Sequence, residues 1–249
     1  MNIGLYQSAA SLSALEKWQD AVSQNITSGQ VSGYRKRTVE FSAQTGGQWQ
    51  LDSAATGGGD TTVAAVFPKA SAGINFKGGD TSPTGRNTDL AIQGEGFFAI
   101  QSPDGSVAYT RNGQFEVRAD RTIVAGNGGT LLSDSGSPIV LSAAGGNVTV
   151  NPGGNVMQGA TTVGRIGLQK FSNQADLTPV GGGMFVPSNG AQAQPVEQPD
   201  IIQGYLEDSN VTPMREMIDL VLISRSYEAN QKVITSTDQQ MQKSLDALG

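Results

Sequence analysis

From residue 3 to about residue 28, apolar side chains recur at threes, fours and sevens: Leu5, Leu12, Leu15, Val22 and Ile26. This spacing predicts a helix with one narrow apolar stripe, and Ser28-Gly29 ends it, because glycine readily takes the backbone turn that closes a helix. The other end of the chain follows a stricter rule. Asn210-Val211-Thr212-Pro213 opens a helix, with Thr212 as N-cap, Pro213 in the first turn and Glu216 where the helix dipole favours a carboxylate. Leu220, Tyr227, Ile234, Met241 and Leu248 then form an unbroken heptad row. The companion row is mixed, with apolar Ile223 followed by polar Asn230, Thr237 and Ser244. A half-polar seam is too weak for an isolated helix pair, but it suits a helix with several neighbours, where polar positions set register. For either helix alone, an ordinary surface helix of a globular domain is the more usual reading. Two narrow-striped helices at opposite chain ends are together expected to pair with each other.

Between them, from about 70 to 204, the period drops to two. Phe97, Ala99 and Gln101 alternate with Phe98, Ile100 and Ser102, and Pro103-Asp104-Gly105-Ser106 supplies a turn. Tyr109-Thr110-Arg111 runs into Asn112-Gly113, a hairpin signal, and Phe115-Glu116-Val117-Arg118 returns. Further short strands are expected at 122–125, 139–141, 148–150, 163–171 and 184–186. No helical period interrupts them, so an antiparallel all-β domain is expected rather than parallel βαβ units. Residues 42–62, with Thr45-Gly46-Gly47 and Thr56-Gly57-Gly58-Gly59-Asp60, read as a flexible connector. The expected fold class is α+β, an antiparallel all-β central domain flanked by N- and C-terminal α-helices that pair into a coiled-coil-like layer. Its expected segments are an N-terminal helix and turn (1–41), a connector (42–69), a β domain (70–204) and a C-terminal helix (205–249).

Composition narrows the chemistry. The 249 residues include 33 glycines, only 15% charged and 6% aromatic positions, which suits turn-rich β structure. A net charge of -6 and a pI near 4.6 argue against nucleic acid or an anionic membrane as partner. Cysteine and histidine are both absent, which excludes thiolate chemistry, zinc knuckles and a Ser-His-Asp triad. Paired carboxylates or an oxygen-only calcium site stay open. The lack of cysteine also fits a protein that ends up outside the cytoplasm. The N-terminal stretch lacks the basic and apolar blocks of a cleaved signal peptide, and no apolar run is long enough to span a membrane.

Gly94-Glu95-Gly96-Phe97-Phe98-Ala99 matches the glycine pattern of a dinucleotide site, with Glu116 about twenty residues on. A pyrophosphate needs a helix directly after the glycines. Phe97-Phe98-Ala99-Ile100 followed by Pro103 cannot start one, so Gly94 and Gly96 are expected to bend the backbone into a strand whose two phenylalanines face opposite sides of a sheet. Asp104 and Asp120 read as turn formers rather than metal ligands. Arg35-Lys36-Arg37 reads as a solvated charged corner rather than an anion-docking patch. Ser224 to Glu228 hold no serine–base pair at helical spacing.

Several stretches, in order along the chain, resemble the flagellar rod and hook basal-body family. Asn87-Thr88-Asp89-Leu90-Ala91-Ile92-Gln93-Gly94-Glu95-Gly96-Phe97-Phe98 is similar to its D-x-A-I-x-G-x-G-F-F signature, and Tyr109-Thr110-Arg111-Asn112-Gly113-Gln114-Phe115 to its Y-T-R-x-G-x-F element. Gly204-Tyr205-Leu206-Glu207-Asp208-Ser209-Asn210-Val211 resembles the G-x-x-E-x-S-N-V entry to the last helix. Glu216-Met217-Ile218 and Arg225-Ser226-Tyr227-Glu228-Ala229-Asn230 resemble segments within that helix. At the other end Gln24-Asn25-Ile26-Thr27-Ser28 keeps one asparagine of an asparagine-rich run, and Ser32-Gly33-Tyr34-Arg35 keeps the ending of the turn after it.

The resemblance implies a non-enzymatic structural subunit of the bacterial flagellar basal-body rod, proximal or distal, with no cofactor and no metal. Its implied partners are further copies of itself, neighbouring rod and hook proteins and the flagellar type III export apparatus, with neither nucleic acid nor membrane insertion. The implied assembly interface is Leu5, Leu12, Leu15, Val22 and Asn25 with Leu220, Tyr227, Asn230, Ile234, Thr237, Met241 and Leu248. The β-domain motif is Asp89, Gly94, Gly96, Phe97, Phe98, Tyr109, Arg111, Gly113 and Phe115. The alternative is a secreted β-domain module that binds carbohydrate or acts as an adhesin through loops around 126–136 or 151–160. An enzyme working through carboxylates alone is a third reading.

Overall fold

A computed structural model describes residues 3–50, 62–143, 145–188 and 190–246, and they fall into two compact units. The fold class is α+β, with one long helix near each end of the chain.

The first unit gathers residues 1–26, 37–73 and 212–249. Its helix α1 spans Ile3–Ser28, the extent predicted by the apolar spacing. Ala14, Leu15, Ala21, Val22 and Asn25 are buried along it, while Leu5 and Leu12 are half-buried. Strands β1 (Arg37–Gln50) and β2 (Thr62–Ile74) pair in a two-stranded sheet. Residues 42–50 and 62–69, read from sequence as connector, thus lie in strands, and 51–61 fall outside the described residues. The ribbon is held from its sides. The Gln7 side chain donates to the Val66 carbonyl at 3.0 Å, Trp18 meets Phe41 edge-on at 5.7 Å, and the Phe67 ring lies so close over Gly46 that a Cβ there would sit 2.2 Å from it. Helix α2 spans Pro213–Asp246. The backbone N–H groups of Arg215 and Glu216 donate to the Thr212 carbonyl, closing the first turn behind Pro213.

The second unit comprises residues 27–36 and 74–211, and its strands are short. In order they are β3 (Thr81–Pro83), β4 (Leu90–Ile92), β5 (Phe97–Gln101), β6 (Val107–Thr110), β7 (Phe115–Val117), β8 (Ile123–Ala125) and β9 (Thr130–Leu131). There follow β10 (Val148–Val150), β11 (Asn155–Gln158), β12 (Thr161–Arg165), β13 (Leu168–Lys170), β14 (Leu177–Gly181), β15 (Met184–Pro187), β16 (Gln194–Pro195), β17 (Ile201–Gln203) and β18 (Tyr205–Glu207). The main antiparallel sheet runs β14-β15-β6-β5-β9-β8-β7, with β13 also paired to β5. As the alternation predicts, β5 divides the core: Phe98 joins Ile100, Phe115 and Leu131 on one side, and Phe97 joins Phe171, Leu177 and Phe185 on the other. Gly94 (φ +87°) and Gly96 (φ +121°) bend the chain into β5 with no helix behind them.

Three expectations are corrected. The turn at 103–106 does join β5 to β6, but Asn112-Gly113 does not join β6 to a return strand: β7 pairs with β8 instead. Neither residue takes the positive φ that a two-residue hairpin turn requires. Gly113 is there for close approach, since a Cβ would lie 1.6 Å from the Leu90 carbonyl oxygen, and the two backbones are joined by a 3.0 Å hydrogen bond. Residues 139–141 contribute an isolated bridge, Thr122 to Val140, rather than a strand. The run 163–171 breaks into β12 and β13 at Ile166-Gly167, where a Gly167 Cβ would stand 2.7 Å from the Asp134 Cα.

Thr110 shows how polar groups are matched inside this unit. It is 1% exposed, donates from Oγ1 to the Gly183 carbonyl at 2.9 Å and accepts the Asn112 N–H at 3.0 Å. Thr110→Val keeps the shape and strands both backbone partners, so urea unfolding is expected to show a loss of about 1–2 kcal/mol. No change in the transition midpoint would refute this.

Candidate functional site

Two polar locks are buried in this protein, one in each unit, and each joins segments from opposite ends of the chain. In the first unit, Asn25 lies near the end of α1 and is fully buried. Its Nδ2 donates to the Glu216 Oε2 at 2.9 Å and to the Arg37 carbonyl at 2.9 Å, and its Oδ1 accepts the Arg37 N–H at 2.8 Å. Glu216 sits in the first turn of α2, where the helix dipole favours its charge, and is itself fully buried.

In the second unit, Gly204 (φ +81°) lets the chain leave β17, which pairs with β4, and enter β18, which pairs with β3. That switch delivers Glu207 into the interior, 3% exposed. Its Oε1 accepts from Arg35 Nη2 at 2.6 Å and from the Gly79 N–H at 3.2 Å, and its Oε2 accepts from Arg111 Nη1 at 3.2 Å. Arg111 also donates from Nη2 to the Gly94 carbonyl at 2.6 Å, and its guanidinium lies 5.4 Å over the Phe97 ring. Burial pulls the Arg111 pKa below its ordinary value; Glu207 opposes that shift and Arg35 adds to it. Arg35 is therefore a buried member of an ion cluster, which corrects the reading of 35–37 as a solvated corner. Its side chain is 1% exposed because the turn at 31–34 points it inward, with Gly33 (φ +68°) approaching the Arg111 carbonyl too closely for any Cβ.

The third feature is a helix face. On α2 the inward side carries buried Glu216 and Ile223 with half-buried Tyr227, Asn230, Ile234 and Thr237. Met214, Met217, Ile218 and Val221 recur at threes and fours on another side and are 52–69% exposed. Leu222, Val233 and Met241 are exposed as well, and Leu220 lies between the two sides at 38%. The helix is thus apolar on two sides, and a single chain covers one of them.

These features place the sequence-derived residues. Leu15, Val22 and Asn25 are buried within the first unit, Leu220 and Met241 are exposed on α2, and Leu248 lies outside the described residues. The Asn230 amide donates to the Ser226 carbonyl and the Thr237 hydroxyl to the Val233 carbonyl, each bonding one turn back in its own helix. Asp89, Phe97, Phe98, Arg111 and Phe115 are buried in the second unit, and half-buried Tyr109 meets Phe171 edge-on at 4.9 Å. Sequence reasoning missed Arg35, Glu207 and the pairing of Glu216 with Asn25. The signal for Glu207 was its place in the G-x-x-E-x-S-N-V stretch, three residues before an asparagine whose side chain also ties distant segments together. Asn210 donates to the Asn75 and Lys77 carbonyls and accepts the Lys36 N–H. Among the described residues no cluster of acids is placed to hold a metal ion, and no helix is long and apolar enough to cross a membrane.

Two chain ends folded into one unit, buried charges used as internal locks and an apolar helix face left open define a structural assembly subunit. Comparison with known proteins gives the kind. Residues 91–158 match the family model of the flagellar hook protein FlgE/F/G D1 domain, and residues 202–247 that of the flagellar basal body rod FlgEFG protein C-terminal region. The flagellar basal-body rod protein FlgF of Caulobacter vibrioides is 32% identical over 249 residues, covering 100% of this chain and 99% of its own. FlgF of Mesorhizobium japonicum is 29% identical over 100% of this chain and 99% of its own, and FlgG of Agrobacterium fabrum 29% identical over 93% and 94%. The chain belongs to the flagellar basal-body rod protein family, and as a member it is a structural subunit of the rod in the bacterial flagellar basal body.

Proposed function

We propose that this subunit enters the rod through its terminal helices, which pack in a coiled-coil-like layer against further copies and against neighbouring rod and hook proteins. The observation that carries the reading is the second apolar side of α2. Met214, Met217, Ile218 and Val221 present a contiguous stripe to solvent, and a stripe of this kind on a soluble chain marks an interaction surface. Contacts that repeat from subunit to subunit without closing build a filament rather than a ring. The exposed seam is extended by Leu220 and Met241 on α2 and by half-buried Leu5 and Leu12 on α1, while Tyr227, Asn230, Ile234 and Thr237 line the side that the single chain covers. The assembly part is the unit built from residues 1–26, 37–73 and 212–249, and the β domain is the unit of 27–36 and 74–211. The chain reaches its place through the flagellar type III export apparatus and performs no catalysis.

Ile218→Asp combined with Val221→Asp tests this on the exposed side, where neither change disturbs the subunit's own core. The expected result is a protein with unaltered circular dichroism that is missing from purified basal bodies, in cells that do not swim. Normal incorporation of the double variant would sink the proposal.

A further inference from the structure

We propose that the cleft beside Arg35 and Arg111 receives one carboxylate, supplied by an acidic side chain of a neighbouring copy of this chain. The inference rests on the assembly reading above for the source of that carboxylate, but not for the site itself. Two guanidiniums, which stay charged at any pH the fold survives, share the single carboxylate of Glu207 in the interior. Arg35 spends only Nη2 on it, and its Nε and Nη1 are buried with no hydrogen-bond partner, as is the Nε of Arg111. Buried donors are almost always satisfied, and a buried charge without full compensation is costly. Three unmatched donors on two neighbouring cations therefore ask for an anion.

Both arginines line a cleft of about 560 Å3, walled also by Lys77, Gly78, Gly79 and the Gln93–Glu95 bend. A water molecule occupies roughly 30 Å3 of liquid volume, so the space admits the end of a side chain. The charges that line it are Arg35, Lys77 and Arg111 against Glu95 and Glu207, a surplus of one positive charge. That surplus fits a single carboxylate better than a doubly charged phosphate. The surface able to supply it is the chain's own kind, since 22 acidic residues against 16 basic ones leave each copy with spare carboxylates. For two such copies a cationic recess is a point of attraction.

Two arms test this. In the first, the unassembled protein is titrated with sodium acetate at constant ionic strength, and the Nε–H resonances of its arginines are followed by nitrogen-15 NMR. The Arg35 and Arg111 signals are expected to shift along a saturating curve with acetate and to stay still in the chloride control. No shift, or the same shift in both salts, overturns the site. In the second, a zero-length carbodiimide reagent is applied to purified basal bodies and to dilute monomer. An amide joining Lys77 to an acidic residue of this same protein, present in basal bodies and absent from monomer, is the expected product. A link to a different protein, a link to Glu95 alone or no link overturns the source. A positive first arm with a negative second leaves a free-anion site and refutes the neighbouring copy. Failure of assembly itself would leave the acetate result unaffected.

Discussion

Glu207→Gln is expected to destabilise the β-rich unit by about 3–5 kcal/mol, the cost of breaking a buried ion cluster by removing one partner. The substitution changes almost no volume. It replaces an acceptor facing Arg35, Arg111 and the Gly79 N–H with an amide that presents donors of its own to some of them. Two guanidiniums are then left in the interior without the carboxylate that pairs with both, and Glu95 acts on Arg111 only through space. In a unit of this size such a loss lowers the calorimetric transition by roughly 10 °C. The contrast is Glu116→Gln. Glu116 is 66% exposed and lies 3.8 Å from Arg86, itself 47% exposed, so the same chemical change there should register within about 1 kcal/mol. Equal effects at the two positions would show that burial does not govern the cluster's contribution.

Asn25→Ala is expected to cost about 3 kcal/mol in the helical unit, because one side chain matches the N–H and the carbonyl of Arg37 and also donates to the buried Glu216 carboxylate. The loss should appear as an earlier urea transition by helical circular dichroism, with no change in the signals of the β-rich unit. Asn25→Asp separates hydrogen bonding from charge. It retains the shape and places a second carboxylate against Glu216, and like charges in the interior disfavour the ionised pair. Its penalty at neutral pH should equal or exceed that of alanine, and it should shrink as the pH falls and one proton is taken up between the two groups. A pH-independent penalty would contradict the contact between residues 25 and 216.

The parts of this fold that could be read in advance are those where a local period meets a single buried face. Leu5 through Val22 mark α1 to its last turn, Thr212-Pro213 marks the start of α2, and the alternation through Phe97 and Phe98 marks a strand with core on both sides. Other parts follow rules that leave no local trace. Strands of two or three residues, such as β9 and β16, are too short to display a period. Thr45-Gly46-Gly47 has a linker's composition, yet Gly46 is small because the Phe67 ring covers it. Asn112-Gly113 carries turn chemistry, but Gly113 answers to the Leu90 backbone. Arg35 looked solvated because its partner is 172 residues away, and Glu216 looked like a dipole residue because Asn25 is 191 residues away. On α2 the heptad row runs from exposed Leu220 through half-buried Tyr227 and Ile234 to exposed Met241, while the stripe of Met214, Met217, Ile218 and Val221 recurs at threes and fours on another side.

Those two separations have a kinetic consequence. Each lock closes a loop spanning most of the chain, and contacts so far apart in sequence are slow to form because closure entropy comes due before any contact compensates it. The helical unit cannot begin to settle until residues 212 onward exist, since Glu216 supplies the partner that Asn25 needs. The first helix therefore finds its permanent place only once residues 212 onward have been made. For that interval α1 and the paired strands beside it wait for their last partner, whereas the β-rich unit already holds every residue of its own lock.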